Sequence, residues 1–246
     1  MSDNRGHLAT AGGHAHQKSD DSIVVKTSSG LNHATFVHEK PGDIFDAPNG
    51  AALLHACNCH GKWDRGLGHQ FRERYPAAYE IYRKHCVSRL QKPISHKIPD
   101  LSAPELHVSV EVHLPLGTAL LIPPQKSDFP LHRRRHWIVC LFVSKDYGTC
   151  VDTQDMIISS TWAALLDLKE QLVTLYRRPK SGVIEQAPTG LYSGRLCTGP
   201  FNVSWERIQK LIPVVGLRIN VYHPYEPSTR GRRPIQVQAP SEEHVE

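Results

Sequence analysis

Hydrophobic and polar positions alternate along this chain in two distinct periods, between polar ends. ATFVHEK (34–40) alternates at period two and predicts a strand, after which PGD turns the chain. AALLHAC (51–57) is a short continuous apolar run, the pattern of a strand buried on both faces. From Gly66 the period lengthens: Leu67, Phe71 and Tyr75 recur every four residues and make one helical face. Pro76 cannot sit inside that helix, but it suits the first position of a second one, PAAYEIYRKHC. Residues 88–116 carry prolines and no repeat, which predicts an insertion or long loop. GTALLIP (117–123) and HWIVCLFVS (136–144) predict two more strands around the basic loop QKSDFPLHRRR. MIISSTWAALLDLKEQLVTLY (156–176) is the clearest helix, with Asp152 or Thr153 available to cap it. RLCTGPFNVSWERIQKLI then predicts a short strand to Cys197, a turn, and a helix from near Ser204; LRINVYH (217–223) closes as a strand.

Strands alternating with helices predict an α/β fold whose mainly parallel sheet is covered on both faces. Residues 1–32 and 224–246 lack an apolar face and are expected to be disordered tails, leaving one domain over 33–223 with the insertion at about 88–116. In such sheets ligands bind beyond the carboxyl ends of the strands. Three loops then qualify: PGDIF, NCHGKWDRGLG and TGPFNVSW.

Composition narrows the picture only a little. The formal net charge of +5 suits an anionic small ligand or a nucleic acid and specifies neither. Arg133, Arg134 and Arg135 have no aromatic platform in sequence, so a solvated charge cluster is preferred over a nucleic-acid contact. No apolar run is long enough for a membrane span and MSDNRGHLATAGGHAHQ has no secretory core, so cytoplasm or nucleus is expected. The six cysteines, several within strand-like runs, are then expected to be free thiols that pack as small hydrophobes.

The stretch HACNCHGKWDRGLGHQF (55–71) concentrates the candidate chemistry. Gly61, Gly66 and Gly68 let a backbone approach a ligand closely, and the helix that follows points free N–H groups at the same place. TGPF (198–201) offers the same from another strand. Either loop alone reads as a tight turn; two on one sheet edge favour a diphosphate clamp. Zinc is the rival, given His55, Cys57, Cys59, His60 and His69, but no second ligand pair follows at metal spacing, so no metal is expected. No base is fixed beside either thiol for a cysteine nucleophile, and the Walker ATP motif is absent.

GDIF (42–45), an apolar strand ending HACN (55–58), and a glycine-bearing loop into a helix together resemble the macrodomain pattern. More narrowly, HACNCHGKWDRGLGHQFRERYPAAYEIY and CTGPFNVSWERI resemble the fungal ADP-ribose 1″-phosphate phosphatases of that fold, over about 34–223 less 88–116 and the loop near 177–193. The resemblance implies a three-layer α/β/α macrodomain with a mixed, mostly parallel central sheet. It implies hydrolysis of ADP-ribose 1″-phosphate, a by-product of tRNA splicing, by a cofactor-free monomer. A non-catalytic reader of ADP-ribose or of ADP-ribosylated proteins, and a hydrolase of mono-ADP-ribosylated proteins, are the alternatives.

Site residues follow by position. Asp43, with Ile44, matches the aspartate that accepts from the adenine amino group, though an Asp after Pro-Gly also reads as a turn cap. Asn58 matches the asparagine over the distal ribose, and His55 a histidine near the terminal phosphate; a hydrogen-bonded core residue is the plain reading of His55. His55 would then be a general acid or base with a pKa near working pH. Gly66, Leu67 and Gly68 fit the first diphosphate loop, and Thr198, Gly199, Pro200 and Phe201 the second; His60, Gly61, Trp63 and Asn202 are further ligand-binding candidates. Asp64 and Arg65 stand where relatives tend to have glycine, and Asp64 is either an acid–base group or a helix N-cap. Pro200 cannot donate an N–H. Asn202, an amide where related glycohydrolases carry an attacking aspartate, disfavours a covalent intermediate.

Overall fold

The structure is a computed structural model that describes residues 36–177 and 187–224; the expectations for 1–32 and 225–246 lie outside the described residues. In chain order it comprises β1 (Val37–Pro41), β2 (Ala52–Asn58), α1 (Gly66–Arg74), α2 (Pro76–Gln91), β3 (Ser95–Pro99), β4 (Ser109–His113) and β5 (Ala119–Ile122). Then follow α3 (Phe129–His132), β6 (Trp137–Ser144), α4 (Gln154–Arg177), β7 (Leu191–Gly194), α5 (Trp205–Gln209), α6 (Leu211–Val215) and β8 (Ile219–His223). Six strands form one sheet in the order β1-β8-β7-β2-β6-β5, and β5 alone runs antiparallel to its neighbour.

The continuous apolar strands are explained by burial on both faces. Along β2, Ala52, Leu54 and Ala56 enter one core cluster and Leu53 and Cys57 the other. Along β6, Trp137, Val139, Leu141 and Val143 face the first, and Ile138, Cys140 and Phe142 the second. α4, α5 and α6 cover the first face with Leu165, Leu168, Ile208 and Ile212. α1 and α2 cover the second with Phe71, Tyr75, Tyr79 and Tyr82. Each such side chain contributes roughly 1.5–3 kcal/mol by leaving water. Five of the six cysteines are buried free thiols, and Cys150 is exposed.

The break before Pro76 falls where expected. The cap on the new helix comes from far away: Asp128 accepts from Ala77 N at 2.8 Å and Ala78 N at 3.2 Å. Thr153 caps α4, accepting from Met156 N, whereas Asp152 turns back to accept from Lys145 N at 2.6 Å and Ser144 Oγ at 3.1 Å.

Two expectations need correction. Residues 88–116 are not a plain loop: α2 runs on to Gln91, and β3 and β4 pair as an antiparallel hairpin that buries Ile98 and Val112. The hairpin is hard to read because exposed polar residues fill its alternate positions. β7 ends at Gly194 rather than Cys197; its last pairing is with Tyr222, and by Cys197 the chain has turned into a left-handed φ of 63°. Among the described residues no helix is long and apolar enough to cross a membrane. Of the arginine cluster, Arg134 donates to the carbonyls of Asp46 and Ala47, so that residue also holds the turn after β1.

Candidate functional site

The parallel strands end on one edge, and their loops enclose a cleft of about 1500 Å³. At one end, β1 runs into Gly42, whose φ of 146° and 2.9 Å Cβ approach to the Tyr222 ring exclude any other residue. Asp43 follows and caps a short 3-10 turn, its Oδ1 accepting from Phe45 N at 3.0 Å. Its Oδ2 makes no hydrogen bond to a described residue, so the cap and an open acceptor coexist on one carboxylate.

β2 delivers the centre. A register shift between Cys57 and Asn58 re-aims the strand end. The buried Asn58 then accepts from His60 N at 2.9 Å and Lys62 N at 3.3 Å, and donates to Lys62 O at 2.7 Å. Its carboxamide is therefore the brace of the first loop. Trp63 lies beneath that loop in the core, its Nε1 donating to Cys57 Sγ at 3.3 Å and its ring stacked on Tyr82. Gly61 is a turn glycine with φ 73°, its Cβ position blocked at 3.1 Å by the Arg83 backbone, and it does not line the cleft.

His55 lies under this loop, its ring stacked on Phe71 at 4.9 Å. A Cβ on Gly68 would stand 3.2 Å from His55 Nε2, so the glycine is what lets α1 start over the imidazole. Burial pushes the His55 pKa down to about 3, so in the free protein the ring is neutral and the expected value near working pH does not hold. Asp64 caps nothing, since the α1 cap position is Arg65 without a side-chain bond; Asp64 pairs with Arg72 at 3.0 Å on the cleft rim.

The second loop stands across the cleft. A Cβ on Gly66 would be 4.0 Å from Pro200 Cδ, and one on Gly194 would be 3.5 Å from Leu67 Cδ2, so the two loops are neighbours on one edge. Thr198 Oγ1 donates to Arg195 O at 2.8 Å, and Asn202, at φ 51°, closes the turn through its N–H to Gly199 O at 2.9 Å. Space opposite Gly199 is open. Behind the loop, Glu39 of β1 accepts from Trp205 Nε1 at 2.7 Å and from Arg195, whose Nη2 is 3.0 Å away.

Of the residues the resemblance assigns to the site, all but Gly61 and Asn202 line this one cleft; of the rival zinc set, Cys59 and His69 do not. Missed were Arg195, Trp205, Tyr222 and His223, and a whole loop after β6, Asp146 to Cys150. That loop carried its own signal: CLFVS ends a parallel strand like the others, and the strand-end rule applied to it equally.

No family model matches the chain. Among curated proteins it is 42% identical over 191 residues to an ADP-ribose 1″-phosphate phosphatase of Aspergillus fumigatus, covering 77% of this chain and 94% of that one. It is 41% identical to the phosphatase of the same name from Neosartorya fischeri, with the same coverage. Among solved structures it is similar to the macrodomain of Mycobacterium tuberculosis DarG, at 17% identity and a TM-score of 0.50 over 77% of this chain and 98% of that one. It is also similar to Thermosipho africanus DarTG in complex with ADP-ribose, at 13% identity and a TM-score of 0.53 over 79% of this chain and 43% of that one. With two strand-end loops converging on one cleft and that identity across nearly the whole length of the relatives, the chain belongs to the ADP-ribose 1″-phosphate phosphatase family and has the macrodomain fold.

Proposed function

We propose that this cleft binds the ADP-ribose portion of ADP-ribose 1″-phosphate and hydrolyses its terminal phosphomonoester. One observation carries the reading: the chain that builds the whole cleft matches proteins named for that activity over 94% of their length. The nucleotide would lie along the strand ends, adenine at the open oxygen of Asp43 and the pyrophosphate between the loops at 66–68 and 198–201. Backbone N–H groups there give a fixed positive field without lysines, and Pro200 leaves one donor out. At the far end a water would attack phosphorus in line, opposite the breaking bond to the anomeric oxygen, while the loop amides hold the developing charge. His55, neutral and stacked, shapes the floor under the first loop, and the Asn58 brace keeps that loop in register.

A second reading, a reader that binds without turnover, is favoured by two observations: His55 is held out of the titrating range and Asp64 is tied to Arg72. Inorganic phosphate release from ADP-ribose 1″-phosphate separates the two. Calorimetry with ADP-ribose on Asp43→Ala tests the pose. A hydrogen bond to a charged group contributes about 1.5–3 kcal/mol, so affinity should fall roughly 10- to 100-fold. An unchanged dissociation constant would remove Asp43 from the adenine end.

A further inference from the structure

We infer that His60, oriented by Asp146, is the general base that activates the attacking water. The inference rests on the phosphatase reading of this same cleft. Hydrolysis needs a group that can take a proton at the phosphate end, and the obvious candidates are spent. His55 is partly buried between Phe71 and Trp63 and held neutral, Asp64 is paired with Arg72, and burial drives the Cys59 thiol far upward. His60 is placed differently. Its backbone N–H is bound by the Asn58 carboxamide at 2.9 Å, so the ring grows from the most firmly braced point of the first loop. Its Nε2 lies 2.6 Å from Asp146 Oδ1, and Asp146 comes from the separate loop after β6. Both side chains are about one-third exposed, at 33% and 30%, and both residues line the cleft. The Tyr147 ring meets the imidazole edge-on at 5.9 Å, which limits its rotation.

The contact has a further feature. Although close, Nε2 is a buried atom whose approach to the carboxylate is not an aligned hydrogen bond. A buried polar atom left so near an acceptor is poised to align once a ligand settles the ring. In the aligned arrangement Nε2–H donates to Asp146, which fixes the tautomer and leaves the lone pair of Nδ1 free. A carboxylate, an imidazole and a hydroxylic nucleophile in that order are the logic of an oriented base. Nδ1 accepts a proton from the water as its oxygen bonds to phosphorus. The bond from phosphorus to the anomeric oxygen breaks, its electron pair stays on that oxygen, and the oxygen takes a proton from bulk water. The imidazolium then returns its proton to solvent, so the net reaction consumes one water and yields ADP-ribose and inorganic phosphate.

The test uses the full chain and three measurements on wild type, His60→Ala and Asp146→Asn: phosphate release from ADP-ribose 1″-phosphate, ADP-ribose affinity, and release with added imidazole. A lost general base costs about 100-fold or more in kcat. His60→Ala should show that loss with KM and ADP-ribose affinity within about threefold of wild type, and added imidazole should recover part of the rate. Asp146→Asn should lose kcat, less severely, with affinity kept. A His60→Ala enzyme within about twofold of wild-type kcat overturns the assignment. So does a loss that imidazole leaves untouched and that ADP-ribose affinity shares. A wild-type protein that binds ADP-ribose and releases no phosphate is a different failure, because it sinks the phosphatase reading and the base with it.

Discussion

The two loops that face each other across the cleft are held in opposite ways. The first, from Asn58 to Gly68, is braced from within: the Asn58 carboxamide binds amides two and four residues on, and Trp63 anchors to Cys57 and Tyr82 directly beneath. The second, from Arg195 to Asn202, is tied to remote parts of the chain. Arg195 and Trp205 reach Glu39 on β1, Asn202 O accepts from Gln154 Nε2 at 2.6 Å, and Arg207 pairs with Asp155. Neutral, partly buried hydrogen bonds brace the one from within, with the Asp64–Arg72 and His60–Asp146 pairs at its rim, and mostly charged, half-exposed contacts hold the other. Buried neutral bonds are insensitive to salt and mild acid, whereas exposed ion pairs weaken with both. The first loop should therefore fail only by mutation, and the second should also yield to solution conditions.

The largest effect should come from Asn58→Ala. The substitution strands two amide donors and the Lys62 carbonyl in a partly buried turn, and a fully buried unsatisfied group costs about 1–3 kcal/mol. Allowing for partial relaxation and water entry, we expect about 3 kcal/mol less stability by urea denaturation, with loss of ADP-ribose binding. A loss under roughly 0.5 kcal/mol would mean that the first loop is not braced by its own side chain.

The same contrast decides what could be read in advance. Strand and helix periods mark β2, α1, α2, β6, α4 and β8 because each buries a regular face, while β1, whose residues are at most half-buried, is marked by alternation alone. The first loop was legible because its signals are neighbours in the chain: HACN, three glycines and a helix start. Yet the committed state of the Asn58 amide was not, since the loop folds back on itself only in three dimensions. The second loop's supports lie 48 to 166 residues away, and no local pattern announces that Glu39 and Trp205 will meet. His55 shows the limit of identity alone. Its position was expected, but its protonation depends on Phe71 and Trp63 packing around it.

Glu39→Gln tests the second loop and should act at intermediate size. Burial raises the Glu39 pKa, but the bonds from Trp205 and Arg195 outweigh it and hold the carboxyl below its ordinary value. A carboxylate depressed in the folded state stabilises the fold above its unfolded pKa, and that contribution disappears as pH falls through the lower folded value. Wild-type KM should thus be flat from neutral pH down to about pH 4.5 and rise below it. Glu39→Gln can still accept from Trp205 but no longer pairs with Arg195. We expect its KM to be raised by about threefold to tenfold already at neutral pH, with thermal stability nearly unchanged, since such pairs contribute about 0–1 kcal/mol. A variant with wild-type KM at neutral pH would show that the second loop holds its shape without β1.

Gly68→Ala should give the smallest effect and the sharpest one. Gly68 is helical without a positive φ, so alanine gains about 0.5–1 kcal/mol of helix preference. The new Cβ would meet His55 Nε2 at 3.2 Å, tighter than ordinary contact, and Trp63 Cα at 3.4 Å, at its limit. His55 cannot simply recede, because Phe71 stacks behind it at 4.9 Å, and the Trp63 backbone belongs to the braced loop. Stability should therefore stay within about 0.5 kcal/mol of wild type, gain and crowding nearly cancelling. The displaced ring and lifted helix start should instead weaken ADP-ribose binding about threefold against wild type. Should Gly68→Ala raise stability by the full helix preference and leave binding untouched, the first loop has slack in it, and its contrast with the second is weaker than the hydrogen bonds imply.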